Sequence, residues 1–270
     1  MKKVLCFSFG VAATPALLSF ADSVIMRGSM PFAIMQKELL APPVEHLARA
    51  FSSLPNLTAL DAQTAVNDAF GILWRGLDVE GASAMQDALM KQGIEVEAVE
   101  ESELPVLPPS KVIKQIEFLP TQVSMYDPMG RVFALPWRDV MLIAAGNVRL
   151  RDYRSKGHSP AEAVHNHEPP RADQGKHLML ELVLAGGVAR YSMIADEFVF
   201  NHLGARLTKE TPRNFEMVVR ELAENAPHAG LNRGAFLICQ NEKEIFTYPS
   251  KAAFFEEITW FLWRIGAART

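Results

Sequence analysis

Cysteine is nearly absent from this chain. Cys6 and Cys239 are its only two, too few and too far apart to build a disulfide framework or, by themselves, a zinc site. Long apolar runs are missing too. Beyond residue 21 no segment approaches the roughly 18 uninterrupted apolar residues that a membrane span needs. An excess of basic charge is also lacking: 27 Lys and Arg stand against 31 Asp and Glu, a net charge of −4. Residues 1–110 carry 7 basic against 13 acidic side chains, and residues 111–270 carry 20 against 18. Neither half has a dense basic face, so nucleic acid is not the expected partner. No phosphate loop, metal cage or activated nucleophile stands at a recognisable spacing. The sequence therefore nominates no catalytic residue, no cofactor-binding residue and no metal ligand. What is present, 49% hydrophobic and 21% charged residues over 270 positions, excludes wholesale disorder and suffices for one large or two small cores.

The N-terminus carries two readings. Lys2 and Lys3 precede an apolar stretch from Val4 to Phe20, and Ser19-Phe20-Ala21 has small residues where a signal peptidase would inspect them. Against export, Pro15 interrupts the stretch, and no disulfide-forming cysteines follow. Met30 stands directly before the first expected strand, with Met26 just ahead of it. Residues 1–29 are thus a signal peptide or a non-native extension. The expectation is a cytoplasmic protein beginning at Met26 or Met30, with export as the alternative if residues 1–21 are cleaved.

Residues 30–103 alternate strand and helix signals. Pro31–Leu39 reads as a strand, and Pro42-Pro43 opens a helix through Val44, Leu47, Ala48 and Phe51 that Pro55 ends. Asp61 is a good cap for a short helix to about Ala69, and Gly71–Leu77 is strand-like. Residues 79–92 form a clear helix with Gly93 as its terminator. Ile94-Glu95-Val96-Glu97-Ala98 alternates apolar and acidic, a strand with one wet face. Leu104-Pro105-Val106-Leu107-Pro108-Pro109-Ser110, with three prolines, marks a domain boundary over 104–110.

Residues 111–153 read as a meander with a turn at Asp127-Pro128-Met129-Gly130. It leads through Leu135-Pro136-Trp137-Arg138-Asp139-Val140 into Met141-Leu142-Ile143-Ala144-Ala145, a strand apolar on both faces. Residues 154–176 are polar, proline-containing and aperiodic, a long loop. Leu178–Leu184 and Val188–Ile194 form a hairpin about Gly186-Gly187. Pro212 starts an amphipathic helix through Phe215, Val218, Val219 and Leu222. Ala235–Cys239 and Ile245–Tyr248 read as a second hairpin, and Ser250 caps a last helix running to about Ile265.

The fold class is α+β. Strand–helix–strand–helix–strand over residues 30–103 resembles a ferredoxin-like α/β plait. Four features of residues 111–268 together resemble bacterial pleckstrin-homology-like domains: the strand preceding Leu119, the turn at Asp127–Gly130, the run Pro136-Trp137-Arg138-Asp139-Val140 entering a strand, and the closing helix Phe254–Ile265. That resemblance implies a strongly bent antiparallel sheet plugged by a terminal helix, a binding fold with many uses. The loop at 154–176 and the helix at 212–225 are insertions relative to it.

Each candidate site has a plain structural reading beside it. His165-Asn166-His167, with His158, His177, Glu162, Glu168 and Asp173 nearby, is the one approach to a metal constellation, but it sits in a solvated loop with no second shell to hold it. Ser250-Lys251 is an adjacent pair whose side chains diverge by about 100° on a helix, so the serine is read as a cap. Arg138-Asp139 is read as a surface ion pair beside a core Trp137. Gly186-Gly187 is a turn, Glu100-Glu101-Ser102-Glu103 a solvated strand end and Cys239 a small buried hydrophobe.

The last helix is the exception. Phe255, Ile258, Leu262 and Ile265 supply one core face, while Phe254, Trp260, Phe261 and Trp263 extend apolar surface beyond it. Such a helix is covered on two sides, the second cover being the N-terminal module, a twin subunit or another protein. The expectation is a non-catalytic binding, regulatory or scaffolding protein acting through protein–protein contacts, with self-association through the Trp260/Trp263 flank as one form of it. The alternative is a metal-dependent hydrolase using His165 and His167.

Overall fold

Residues 30–54, 69–149 and 175–267 are described by a computed structural model, together with Thr58, Ala62 and Val66. In the N-terminal module, β1 (Phe32–Gln36) lies between β2 (Ile72–Leu77) and β3 (Val96–Glu100) and is antiparallel to both. Strand alternation sorts its side chains. Ile34 joins Leu73 and Val96 beneath α1 (Val44–Ser52) and α2 (Val79–Lys91), whose Leu47, Phe51, Met85 and Leu89 fill that side. Ala33 and Met35 face the other way, with Phe70, Ile72 and Val99. Local chemistry sets the limits of α2: the Asp78 carboxylate accepts from the Gly81 amide at 2.7 Å, and Gly93 follows with φ +75°. Most of the helix expected from Asp61 lies outside the described residues.

The proline-rich boundary is anchored at three points. Leu104 is buried against the N-terminal sheet, Leu107 packs on the second module, and the Pro108 carbonyl accepts from Arg190 Nε at 3.1 Å. Ser110 then begins β4 (Ser110–Val112).

The second module has two sheets. β5 (Gln115–Phe118), β6 (Gln122–Tyr126) and β7 (Val132–Pro136) form an antiparallel meander joined by the expected turn. Asp127 accepts from the Met129 and Arg131 amides at 2.9 Å, and Gly130 has φ +77°. Burial opposes ionisation of Asp127, yet these hydrogen bonds and the Arg131 guanidinium outweigh it and hold the carboxyl below its usual range. The larger sheet orders β11-β8-β9-β10-β4, where β8 is Val140–Arg149, β9 Lys176–Leu184, β10 Arg190–Ile194 and β11 Gly230–Leu231; β12 (Thr247–Tyr248) also pairs with β8. β8, β9 and β10 are antiparallel neighbours, whereas β4, β11 and β12 join in parallel.

One expected hairpin is corrected. Residues 235–239 belong to a helix, α4 (Arg233–Cys239), which follows α3 (Thr211–Asn225). Gly234, Ala235 and Ile238 are buried while Phe236 is half exposed, a helical rather than an alternating pattern. The signal lies three residues upstream of the apolar run. Asn232 caps this helix by accepting from the Ala235 amide at 2.9 Å.

The terminal helix α5 (Lys251–Ala267) explains the rest of the architecture. Phe254, Ile258 and Leu262, spaced by four residues, lie on the larger sheet against Leu142, Ala144, Met179 and Val183. Trp260, Phe261 and Trp263 lie on the N-terminal sheet against Met35, Phe70, Ile72 and Val99. Positions 254 and 256 are about 200° apart on a helix, so the stripe 254/258/262 and the stripe 256/260/263 are nearly opposed. The chain is thus layered: α1 and α2, the N-terminal sheet, α5, the larger sheet, and finally α3, α4 and the small meander. A helix apolar on both sides is the expected solution for an element sandwiched between two sheets.

Candidate functional site

The interface between α5 and its two sheets holds most of the buried polar chemistry. Trp260 is fully buried, and its indole N–H donates to the Gln36 carbonyl at 2.7 Å. Gly71, with φ +73°, lets that ring approach: a Cβ there would stand 2.7 Å from Trp260 Cγ. Trp260 therefore has no surface left for another molecule, and Trp263 packs half-buried on the same cluster. The flank expected to meet the N-terminal module, a twin subunit or a partner meets the N-terminal module.

Two charged clusters flank this contact. In the first, Glu257 of α5 is fully buried and receives the Arg233 amide and guanidinium, each at 2.8 Å. The Arg233 guanidinium stacks 3.5 Å over Phe70 of the N-terminal module and 4.5 Å over Phe246. Next to it, Asn232 exchanges hydrogen bonds with the Ala145 amide (2.8 Å) and carbonyl (3.1 Å) and donates to the Tyr248 hydroxyl at 2.8 Å. Burial, seconded by the Glu257 charge, pushes the Tyr248 phenol up. Every polar atom of the Asn232 side chain is satisfied, as a buried amide requires.

The second cluster lies under the first turn of α5. Glu181, only 1% exposed, points from β9 towards Arg190, whose Nε is 3.7 Å away, and towards Ser110 Oγ at 3.4 Å. Burial lifts the Glu181 carboxyl to about 7 despite Arg190, Ser192, Lys251 and Ser110, all of which favour the anion. Arg190 stacks 4.5 Å over Phe255, and its Nη1 has no hydrogen-bond partner among the described residues. Ser110 and Glu181 set a hydroxyl beside a buried carboxylate. That carboxylate is sealed beneath a packed helix, and a general base must reach its substrate.

An open cleft lies elsewhere. It holds about 490 Å³ between the ends of β8 and β9, the start of α3 and residues 243–247. Leu178 and Ile245 line it together with Lys176, Lys243 and Glu244, none of which has an ion-pair partner among the described residues. Asp196 and Glu216 also line it, engaged by His177 at 3.3 Å and by Arg220 at 3.2 Å. The Asn147 side-chain oxygen at its edge is shut from solvent without a partner among the described residues. Its hydroxyls come from Thr211 and Thr247.

The sequence-nominated positions divide clearly. Trp137 is in the core, its indole N–H donating to the Leu119 carbonyl at 2.9 Å, and Arg138 and Asp139 face each other at 3.7 Å on the surface. Ser250 accepts from the Ala253 amide at 3.0 Å and caps α5. Gly186 and Gly187 turn β9 into β10 with positive φ. Cys239 is a half-buried free thiol whose pKa burial raises. His158, His165, His167, Glu162, Glu168 and Asp173 lie outside the described residues, and among the described residues no three His, Cys, Asp or Glu side chains converge as a metal site.

The chain matches no family model, no curated protein and no solved structure. What the arrangement can do rests on its own geometry. No described helix is long and apolar enough to cross a membrane.

Proposed function

We propose that this chain is a non-catalytic binding or scaffolding protein that acts through protein–protein contacts. One observation carries the reading: the two ion pairs with the most deeply buried carboxylates, Glu181–Arg190 and Glu257–Arg233, are spent inside the layers around α5, whereas the open cleft carries Lys176, Lys243 and Glu244 without ion-pair partners among the described residues. Charges arranged this way fix how the layers pack and leave the surface for recognition. The antiparallel β2-β1-β3 order supports a plait-like N-terminal module, and α5 against the larger sheet supports a pleckstrin-homology-like second one. Both are folds that hold partners in many settings.

Affinity capture with the full chain from its source cells, alongside metal analysis of the purified protein, tests this reading. A stoichiometric protein partner is the expected result. Stoichiometric zinc or manganese that disappears in His165→Ala and His167→Ala would overturn it in favour of the metal-dependent hydrolase.

A further inference from the structure

The larger sheet and the small meander pack face to face, and both end on the same side in strands that no described residue continues. β4 closes the larger sheet and β7 closes the meander. The β6–β7 register aligns Met125 with Phe133 and Val123 with Leu135. The flanking bonds Asp127 N–H to Arg131 C=O (3.0 Å) and Trp137 N–H to Thr121 C=O (3.3 Å) put these odd-numbered pairs in the hydrogen-bonded class. The main-chain amides and carbonyls of Val132 and Ala134 therefore point outward, and both residues are exposed. Between the two edges lies a cleft of about 360 Å³ walled by Lys111, Val112, Phe133 and the Asp127–Arg131 turn.

Among the described residues, an unpaired cation stands at this edge. The Lys111 ammonium sits 5.3 Å over Phe133 and 5.6 Å over Tyr191, with no carboxylate partner among the described residues. Arg131 and Arg138 stand at the two ends of β7 with side chains 71% and 86% exposed. The acids nearby are engaged: the buried Asp127 carboxylate by Arg131, Asp139 by Arg138, and Glu117 of β5 by the Tyr126 hydroxyl at 2.9 Å.

Resting on the binding reading above, we infer that the outer edge of β7 accepts an extended segment of a partner protein in which apolar and acidic residues alternate. Its main chain extends the meander by one strand. Its inward side chains enter the cleft between Val112 and Phe133, and its carboxylates meet Lys111 and the flanking arginines.

The test uses the full chain and a labelled, end-capped peptide of alternating Val and Glu, read by fluorescence anisotropy, with an alternating Val and Lys peptide of equal length as control. Saturable binding of the Val/Glu peptide alone is expected. It weakens at least about tenfold in Lys111→Glu, an exposed position, which matches the loss of one desolvated charge pair. Ala134→Pro removes an outward amide that β6 does not use and abolishes binding. Absence of saturable binding, equal binding of the Val/Lys peptide, or binding unchanged in both variants overturns the inference. So does a dimer in sedimentation that Ala134→Pro dissolves, because the edge then belongs to a second copy. A captured partner held equally by wild type and Ala134→Pro removes the β7 edge while leaving the binding reading intact.

Discussion

Replacing Trp260 by Ala tests how the layers are joined. The side chain is fully buried, and truncation of a buried Trp costs about 3–5 kcal/mol. Its indole N–H is also the partner of the Gln36 carbonyl, and an orphaned buried acceptor adds about 1–3 kcal/mol unless water enters the cavity. A loss of roughly 5 kcal/mol follows, or about 10–20 °C in Tm for a chain of this size. Gly71→Ala attacks the same contact from the other side. Its Cβ would press on Trp260 at 2.7 Å from a backbone with φ +73°, costing roughly 2–3 kcal/mol from overpacking and the left-handed conformation together. Once Trp260 is Ala the steric part vanishes. The double variant is then less damaged than the two singles combined, by about 1–2 kcal/mol. Urea unfolding followed by far-UV circular dichroism measures all four corners of the cycle. Additive effects, or a Trp260→Ala cost below about 1 kcal/mol, would refute the packing of α5 between the sheets.

Other perturbations report on the buried charges. Burial raises the Glu181 carboxyl in the folded state to about 7, from an ordinary 4.5. The native state binds this proton more tightly, so the contribution is fully present below pH 4.5 and lost as pH rises through 7. The difference is roughly 3 kcal/mol, and Glu181→Gln should flatten the stability profile across that window. His202 works in the opposite direction. Burial among Phe118 and Phe198, with a smaller push from Arg206, lowers its pKa to about 4, so its contribution is present above 6.5 and lost as pH falls through 4; His202→Phe should resist acid better than wild type in thermal melts. Glu257→Ala leaves Arg233 partly buried without its counter-ion and should cost about 3–5 kcal/mol in urea unfolding; Glu257→Gln, which keeps an acceptor for the Arg233 amide, should cost less.

The parts of this structure that were legible in the sequence are those fixed by local chemistry. Gly93 ends α2, Pro212 opens α3, Asp127–Gly130 turns β6 into β7, and Ser250 caps α5. The unbroken apolar run of β8 correctly announced a strand covered on both faces. α4 was misread because five apolar residues in a row fit either period, and the deciding residue was the cap at Asn232. The double apolar stripe of α5 revealed that two things cover it, but not that the second was the chain's own N-terminal sheet, since that depends on Gly71 and Gln36, more than 180 residues upstream. Glu181 and Glu257 escaped notice inside apolar runs. A carboxylate on the inward face between Met179 and Val183 was the available signal, and its partner could not be chosen without the fold.

Hydrogen exchange measured in increasing sub-denaturing urea addresses the placement of α5 most directly. If one helix serves as core for both sheets, amides of β1, β8 and the Phe254–Leu262 stretch converge on a single opening free energy and a single urea dependence. Exchange of β1–β3 through a cheaper opening with a smaller urea dependence, while β8 stays protected, would contradict it.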